Sequence, residues 1–346
     1  MSSLAQLLGV DIPLIQAPMA GAQDARLAVA VASAGALGSL PCATLGPDAL
    51  HTALSELAKS DAPSYNLNFF CHTVPEPDPE REAAWRALLA PYYEELGLDP
   101  REHDSPPSRQ PFDSAAADIV EEFRPHVVSF HFGLPSPELL ARVRSWGSVV
   151  LSTATTVDEA VVLERHGVDA IIAQGIEAGG HRGFFLSTDL DSQLGTFALL
   201  PQLVRAVRVP VIAAGGIVDA RTVSAALALG AAGVQVGTAY LLCPESTTSA
   251  VHRAALESDR ARGTAITNLF SGGPARGIVN RLMRELGPMS AVAPPFPLAA
   301  AAVAPLRSKA EREGRGDFSP LWCGMNASGC RAIAAAELTR TLGSAL

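Results

Sequence analysis

The chain has 346 residues, of which 48% are hydrophobic and 18% charged, and its formal net charge is −9. This composition is ample for a buried core and excludes global disorder. The negative net charge does not indicate a positively charged surface that would bind nucleic acid. The longest apolar tract, residues 225–243, is interrupted by Gly230, Gly233 and Gly237 and does not predict a membrane span. The five cysteines form no CxxC pair, and the N-terminus lacks the basic region of a signal peptide, so we expect a reduced, cytoplasmic protein.

Short apolar runs recur along the chain with helical patterns between them. The runs lie at residues 13–18, 37–42, 65–70, 127–132, 149–154, 169–174, 209–216 and 232–238. They are continuous rather than alternating, which is typical of parallel strands covered on both faces. The intervening segments carry N-cap candidates such as Thr156 and Asp219, or a glycine at their ends. Eight strands alternating with helices predict an α/β protein, a (β/α)₈ TIM barrel over about residues 1–242.

Two stretches depart from this repeat. Residues 72–113 are proline-rich and charged around one amphipathic helix, and we interpret them as an insertion after the third strand of the barrel. Residues 243–320 follow the eighth strand, and we expect a smaller helical subdomain that covers the barrel mouth. Residues 321–346 then return to the barrel with a final helix at about 328–342.

Glycines follow the seventh and eighth predicted strands, at the rim where barrel enzymes place their active sites. Gly215 and Gly216 precede one helix, and Gly237 precedes the next segment. Such ends direct backbone N–H groups and a helix dipole at a phosphate. The alternative is that these glycines only allow tight turns and close packing.

Six motifs resemble a known family in consistent order from about residue 8 to 320. They are IQAPMAG (15–21), NLNFFCH (66–72), VSFHFGLP (128–135), QGIEAGGHRG (174–183), AAGGIVDARTVSAALALGAAGVQVGTAY (213–240) and PARGIVNRLMRELG (274–287). The chain is identified by these motifs as a member of the FMN-dependent nitronate monooxygenases, formerly called 2-nitropropane dioxygenases. The resemblance implies an oxidoreductase that uses FMN and dioxygen to convert a nitronate or nitroalkane into a carbonyl compound and nitrite.

The resemblance also implies which residues bind FMN at the rim. Gly216 and residues 235–238 would contact the phosphate, and Ala17, Pro18 and Met19 would lie along the isoalloxazine ring. The full set implied is Ala17, Pro18, Met19, Asn68, Gln174, Gly179, Gly180, Gly215, Gly216, Gln235, Val236, Gly237 and Thr238.

His181 matches the catalytic histidine of the family. A lone histidine after a strand is more often structural, but the surrounding motif favours a general base that takes the proton from the carbon next to a nitro group. A nitronate already lacks that proton. His131, at the end of the fourth strand, is either a donor to a substrate oxygen or a structural residue. Glu177 and Arg182 flank His181 and are candidates to lock its loop, while we expect no special role for His252.

The substrate pocket departs from the family pattern. Several relatives carry tyrosines and a lysine in the segment aligned with PPFPLAAAAVAPL (294–306), where this chain has Phe296, Ala300 and Ala304. Met325 replaces the usual glutamine in LWCGMN. We therefore expect Phe296 to line a substrate pocket that is more apolar and roomier than in those relatives.

Two alternatives stay open at this point. One is an FMN-dependent NAD(P)H reductase of a quinone or an enoyl thioester, because relatives with similar glycine loops perform that reaction. The other is a non-catalytic barrel that binds a phosphate ligand or a partner protein. No His, Cys and carboxylate cluster has the spacing of metal ligands, so no metal is expected. The sequence leaves a homodimer open.

Overall fold

The computed structural model describes residues 3–60, 62, 64–99 and 109–346. The strands in these residues are β1 (Leu14–Gln16), β2 (Gly38–Pro41), β3 (Tyr65–Phe70), β4 (Val127–His131), β5 (Val149–Ala154), β6 (Ala170–Gln174), β7 (Gly180–His181), β8 (Val211–Ala214), β9 (Gly233–Val236), β10 (Thr264–Thr267) and β11 (Ala275–Ile278). Eight of them form one parallel sheet in the order β1-β9-β8-β6-β5-β4-β3-β2. A parallel bridge between Ile15 and Leu37 joins the two ends. The predicted TIM barrel is thereby confirmed.

The helices alternate with these strands. They are α1 (Ser3–Leu8), α2 (Ala25–Ala32), α3 (Pro47–Ala58), α4 (Pro79–Glu95), α5 (Ser114–Phe123), α6 (Pro137–Ser145), α7 (Val157–Arg165), α8 (Thr196–Ala206), α9 (Ala220–Ala228), α10 (Ala250–Leu256), α11 (Arg281–Leu286), α12 (Ala300–Arg312) and α13 (Ala335–Gly343). The two expected N-caps are present: Thr156 accepts a hydrogen bond from the N–H of Glu159, and Asp219 forms a capping box with Thr222. None of the described helices is long and apolar enough to cross a bilayer.

The amino end of the barrel is filled by α1. Leu4 and Leu8 are fully buried and belong to the same apolar cluster as Ile15, Leu37 and Ile212 from the strands. This end of the barrel is therefore packed with side chains, and the open end lies at the carboxyl termini of the strands.

The insertion after β3 packs on the segment that follows β9. In α4, the indole N–H of Trp85 donates to the carbonyl of Ala299 at 3.3 Å, and the hydroxyl of Tyr93 donates to the carbonyl of Ala302 at 2.7 Å. Leu89 joins them in one apolar cluster with residues of α11 and α12. The two departures from the barrel repeat thus share one core, and we call them together the cap (residues 79–96 and 264–318). Residues 100–108 of the predicted insertion lie outside the described residues.

The segment after β9 contains more than helices. It has the expected α10, α11 and α12, but β10 and β11 form an antiparallel pair that the sequence did not predict. These strands, TAIT and ARGI, are only four residues long and mix apolar with polar residues, so they lack the continuous apolar run that identified the barrel strands. Strand β7, in the loop after β6, pairs with β11 and adds a third strand to this sheet, with His181 opposite Ala275.

The C-terminal helix packs on the barrel. The final helix, α13, begins at Ala335 rather than near residue 328. The hydroxyls of Thr339 on α13 and Tyr240 after β9 are hydrogen-bonded at 2.8 Å, and both residues are buried.

Candidate active site

A cavity of about 400 Å³ lies at the carboxyl ends of the barrel strands, beneath the cap. The predicted site residues that line it are Ala17, Pro18, Met19, Asn68, His131, Gln174, Gly179, Gly180, His181, Gly215, Gly216, Gln235, Gly237 and Thr238. Six barrel strands and the loops that follow them bring these distant positions together. Two predicted site residues, Val236 and Phe296, do not line the cavity.

The side chain of Val236 lies away from the cavity because of strand geometry, and the contact of this residue with a cofactor stays a prediction for its main chain. Successive side chains of a strand point to opposite faces. Gln235 and Gly237 line the cavity, whereas Val236 is only 1% exposed and belongs to the apolar core of the barrel.

The glycine-rich ends of β8 and β9 fit a phosphate-bearing cofactor. Gly215 and Gly216 have φ values of 118° and 73°, a region that favours glycine. An added Cβ at Gly237 would lie 3.3 Å from the Cβ of Ala17, so a side chain here would crowd the cavity wall. The buried side-chain oxygen of Gln235 has no hydrogen-bond partner among the described residues. The turn geometry alone does not account for this unpaired oxygen, which is suited to a ligand.

His181 lies on the cavity wall in β7, and its ring is fixed by the cap. Its Nε2 is 2.8 Å from the hydroxyl oxygen of Ser271. The ring packs against Phe296 and Trp322, with centroid distances of 5.0 and 5.4 Å. Burial, together with the positive charge of Arg109, holds the pKa of His181 well below its usual value. The imidazole is therefore neutral at neutral pH and able to accept a proton.

The loop that carries His181 is held at both ends by buried hydrogen bonds. The amide of Gln174 donates to the carbonyl of His181 at 2.9 Å and accepts from the N–H of Gly183 at 2.8 Å. Arg182 donates to the carbonyls of Gln174 and Gly175, both at 2.8 Å. Glu177 accepts from the hydroxyl of Thr196 at 2.8 Å. Arg182 and Glu177 thus form hydrogen bonds of the kind that the sequence suggested would hold the loop of His181.

His131 uses both ring nitrogens within the protein. Its Nε2 lies 3.2 Å from the carbonyl oxygen of His181, which can only accept, so Nε2 carries the hydrogen. Its Nδ1 then accepts from the hydroxyl of Thr153 at 3.1 Å. Burial lowers the pKa of His131 to about 4. Of the two interpretations left open by the sequence, this geometry favours the structural one, because no N–H remains to donate to a substrate.

Phe296 packs against His181 and does not line the cavity. Its ring also contacts His72 and Phe132, at centroid distances of 4.8 and 5.3 Å. The guanidinium carbon of Arg109 lies 5.9 Å from the ring centroid of Phe296. The residue therefore shapes the environment of His181 and positions a cation.

Charged and aromatic side chains that the sequence did not predict also line the cavity, while the comparison of this pocket with those of the relatives stays a prediction. The cavity is lined by Arg109, Arg307 and His252, besides Phe70 and Trp322, none of which the sequence had placed there. Phe70 is the last residue of β3, just as His131 is the last residue of β4. Its position at a strand end was therefore enough to predict that it lines the cavity. The other four come from the insertion, α10, α12 and the segment after the cap. Of these, Trp322 stands in LWCGMN, where the sequence analysis noted only Met325, and the remaining three lie in no recognised motif.

The fold and the site define a class of protein: a TIM barrel whose glycine-rich rim fits a phosphate-bearing cofactor, with a half-buried histidine beside it. The nitronate monooxygenase family profile matches residues 1–344. Nitronate monooxygenases of Pseudomonas aeruginosa and Paraburkholderia phytofirmans are 41% and 42% identical to the chain, over 97% and 98% of it and 97% and 93% of their own lengths. The chain therefore belongs to the nitronate monooxygenase family, whose members are flavin-dependent oxidoreductases.

Solved structures agree with this assignment. A nitroalkane oxidase from Streptomyces ansochromogenes is 35% identical, with a TM-score of 0.89 and coverage of 100% of this chain and 98% of its own. FabK from Thermotoga maritima is 26% identical with a TM-score of 0.75, covering 100% of this chain and 96% of its own.

Proposed function

We propose that this enzyme is an FMN-dependent monooxygenase that converts nitronates and nitroalkanes, with dioxygen, into a carbonyl compound and nitrite. The observation that carries the proposal is the neutral imidazole of His181 on the wall of a cavity whose rim fits a phosphate-bearing cofactor. Family membership supports the reaction class.

The residues proposed to hold FMN fall into two groups. Gly216, Gln235, Gly237 and Thr238 would bind the phosphate, where the glycine turns leave room for main-chain N–H groups to approach it. The unpaired side-chain oxygen of Gln235 can only accept a hydrogen bond, so it would contact an N–H or O–H group of FMN and not the phosphate. Ala17, Pro18 and Met19 line the same cavity and would lie along the isoalloxazine ring. Bound FMN supplies the redox chemistry, accepting electrons from the substrate and passing them to dioxygen.

His181 acts as the general base in this proposal. Its neutral ring takes the proton from the carbon that bears the nitro group, which converts a nitroalkane into a nitronate in place. The hydrogen bond to Ser271 holds the ring orientation during the transfer, and the aromatic rings around it exclude water. A substrate supplied as the nitronate needs only to be bound.

An anaerobic mixing experiment tests the proposal against an NAD(P)H-dependent reductase. Purified holoenzyme is mixed without oxygen with ethyl nitronate, NADH or NADPH, and the visible absorbance of the flavin is followed. We expect bleaching by ethyl nitronate, and nitrite release once oxygen is admitted. Bleaching by NADH or NADPH but not by the nitronate would overturn the proposal in favour of the reductase, and a protein that takes up no FMN would support a non-catalytic barrel.

A further inference from the structure

A buried carboxylate outside the cavity is hydrogen-bonded to the His181 loop, by which we mean residues 175–195 between β6 and α8. Glu159 lies in the first turn of α7 and is only 1% exposed. One of its oxygens accepts from the N–H and the hydroxyl of Thr155, at 2.7 and 2.8 Å. The other accepts from the N–H groups of Phe185 and Leu186, at 2.6 and 3.3 Å. All four partners are donors, which suits an ionised carboxylate because it only accepts.

A helix-capping role accounts for only half of these contacts. A carboxylate in the first turn of a helix commonly accepts from nearby N–H groups and interacts favourably with the helix dipole, which explains the contacts with Thr155. Phe185 and Leu186 lie 26 and 27 residues further along the chain, in the His181 loop. Through them Glu159 fixes the main chain immediately after Gly183 and Phe184.

A hydrogen-bond network connects the same carboxylate to Arg182. The hydroxyl of Thr155 donates to Glu159 and accepts from the side-chain amide of Gln193 at 3.0 Å. The side-chain oxygen of Gln193 accepts from Nε and one terminal nitrogen of Arg182, at 3.1 and 2.9 Å. Arg182 can only donate and the carboxylate can only accept, so the direction of every hydrogen bond in the network is fixed.

Arg182, the residue after His181, is a buried cation that depends on nearby negative charge. It is 1% exposed, and burial together with the charge of Arg276 lowers its pKa to about 10. The carboxylates of Glu177 and Glu159 oppose this shift. Glu159 therefore stabilises the His181 loop by charge as well as by hydrogen bonds.

We propose that Glu159 is a positioning residue for His181. It acts directly on the main chain after Gly183, and through Thr155 and Gln193 on the residue next to the base. The inference rests on the proposed function, since it takes His181 as the group that removes the proton from a nitroalkane. Loss of the carboxylate then slows proton removal, whereas a nitronate, which already lacks the proton, is oxidised nearly as before.

Glu159→Gln tests the carboxylate at nearly constant side-chain size. Because all four contacts are donors, the NH₂ group of a glutamine must face at least one of them and repel it. We expect kcat/KM for nitroethane to fall roughly tenfold or more, since a misplacement of about 1 Å can cost on the order of 10²-fold. kcat/KM for ethyl nitronate should fall by less than about threefold. Both are measured by nitrite release.

The matched control is Glu164→Gln on the same helix. Its carboxylate likewise accepts from two consecutive main-chain N–H groups, those of Arg208 and Val209, but these precede β8 and lie at the opposite end of the barrel from the rim. We expect both kcat/KM values to stay unchanged. Equal losses with the two substrates in Glu159→Gln, no loss with nitroethane, or the same selective loss in Glu164→Gln would overturn the proposal.

Two variants of Thr155 decide the proposal even if Glu159→Gln does not fold. Thr155→Val keeps the shape of this buried side chain but removes the hydroxyl that joins Gln193 to Glu159, whereas Thr155→Ser retains the hydroxyl. We expect Thr155→Val to lose roughly threefold or more in kcat/KM for nitroethane, with little change for ethyl nitronate. Thr155→Ser should recover most of that loss. Equal nitroethane values in the two variants would overturn the proposal.

A spectroscopic measurement separates this inference from the proposed function. The enzyme is labelled with ¹³C at Cε1 of histidine, and the NMR signal of His181 is assigned by its absence in His181→Ala, which requires no turnover. We expect the signal to shift in Glu159→Gln and Thr155→Val and to keep its position in Glu164→Gln. If neither nitroethane nor ethyl nitronate is oxidised, the proposed function fails and this spectrum still decides whether Glu159 positions His181. An unchanged His181 signal in Glu159→Gln and Thr155→Val would overturn the inference.

Discussion

His131 and His181, two neighbouring histidines of the rim, differ in which of their ring nitrogens are hydrogen-bonded. His131 donates to the main chain of His181 and accepts from Thr153, so both of its nitrogens are engaged. His181 contacts Ser271 through Nε2, and its ring lies on the cavity wall. Burial keeps both rings neutral and both line the cavity, but of the two only His181 has a ring nitrogen without a hydrogen-bond partner in the described part of the chain.

The base role of His181 makes a prediction that depends on the form of the substrate. In His181→Ala we expect kcat/KM for nitroethane to fall about 10²- to 10⁴-fold, the usual contribution of a general base, because the carbon-bound proton must be removed. kcat/KM for ethyl nitronate should fall by less than about tenfold, since that proton is already absent. Both are measured by nitrite release. His51→Ala, at an exposed position of α3, is the control, and equal losses on the two substrates in His181→Ala would contradict the base role.

Gly183 controls the distance between the His181 loop and His131. A Cβ at this position would lie 2.6 Å from Cε1 of His131 and 2.7 Å from Cγ2 of Thr153, closer than real side chains approach. In Gly183→Ala we therefore expect the loop to shift, with a loss of nitroethane turnover and about 1–3 kcal/mol of unfolding free energy. Urea denaturation and nitrite assays measure the two effects. Gly263→Ala, whose Cβ would meet nothing closer than 3.7 Å, should behave as wild type, and normal activity and stability in Gly183→Ala would refute this account.

The sequence predicted the residues at the rim better than the cavity residues from outside the barrel repeat. His181, Gly216 and Gln235 stand beside strand ends and inside recognisable motifs, so their positions followed from the barrel. Arg109, in the insertion, and His252, on α10, reach the cavity through tertiary packing, and a single sequence contains no signal for that packing.

At the scale of elements, the barrel strands were predictable and the cap sheet was not. A strand buried on both faces needs a continuous apolar run, as in Val149–Ala154, and such runs stand out in a sequence. Strands β10 and β11 pair with each other and with β7 through main-chain hydrogen bonds, which nearly any side chain permits. The packing of α4 on α12 was equally hidden, because an amphipathic pattern shows that a face is buried but not which partner buries it.

Within the cap, the hydroxyl of Tyr93 stabilises the attachment of α4 to α12. Its hydrogen bond to the carbonyl of Ala302 is buried, and Tyr93→Phe leaves that carbonyl unpaired. We expect a loss of about 1–2 kcal/mol in the free energy of unfolding, measured by urea denaturation. Tyr65→Phe, at a residue that is not fully buried on β3, serves as control and should change stability by less than about 0.5 kcal/mol. An unchanged midpoint in Tyr93→Phe would argue against this attachment.

At the scale of the whole molecule, buried neutral histidines couple stability to pH. Burial lowers the pKa of His72, His131 and His252 to about 4, and that of His181 well below its usual value. In the unfolded chain each histidine titrates near pH 6.5. Between pH 6.5 and about 4 the unfolded chain therefore binds protons that the folded chain does not, so stability must fall as the pH is lowered through this window.

This coupling is measurable by urea denaturation at pH 7.5, 6.0 and 5.0. The free energy of unfolding should be nearly constant above pH 7 and decrease steadily below pH 6.5. His252→Gln removes one of the buried titrating groups and should make the decrease shallower, whereas His51→Gln, at an exposed site, should not. Unfolding free energies that are equal at pH 5.0 and 7.5 would contradict the assignment of these histidines as neutral.

The pairing of β7 with β11 has a consequence for how the enzyme can diversify. The ladder between His181 and Ala275 consists of main-chain atoms, so it holds the main chain of His181 independently of the side chains of α12. Arg307 is the residue of α12 that lines the cavity, and exchanging it would leave this ladder intact. We therefore expect a library randomised at Arg307 to change which nitro compounds are accepted while the main chain of His181 keeps its position.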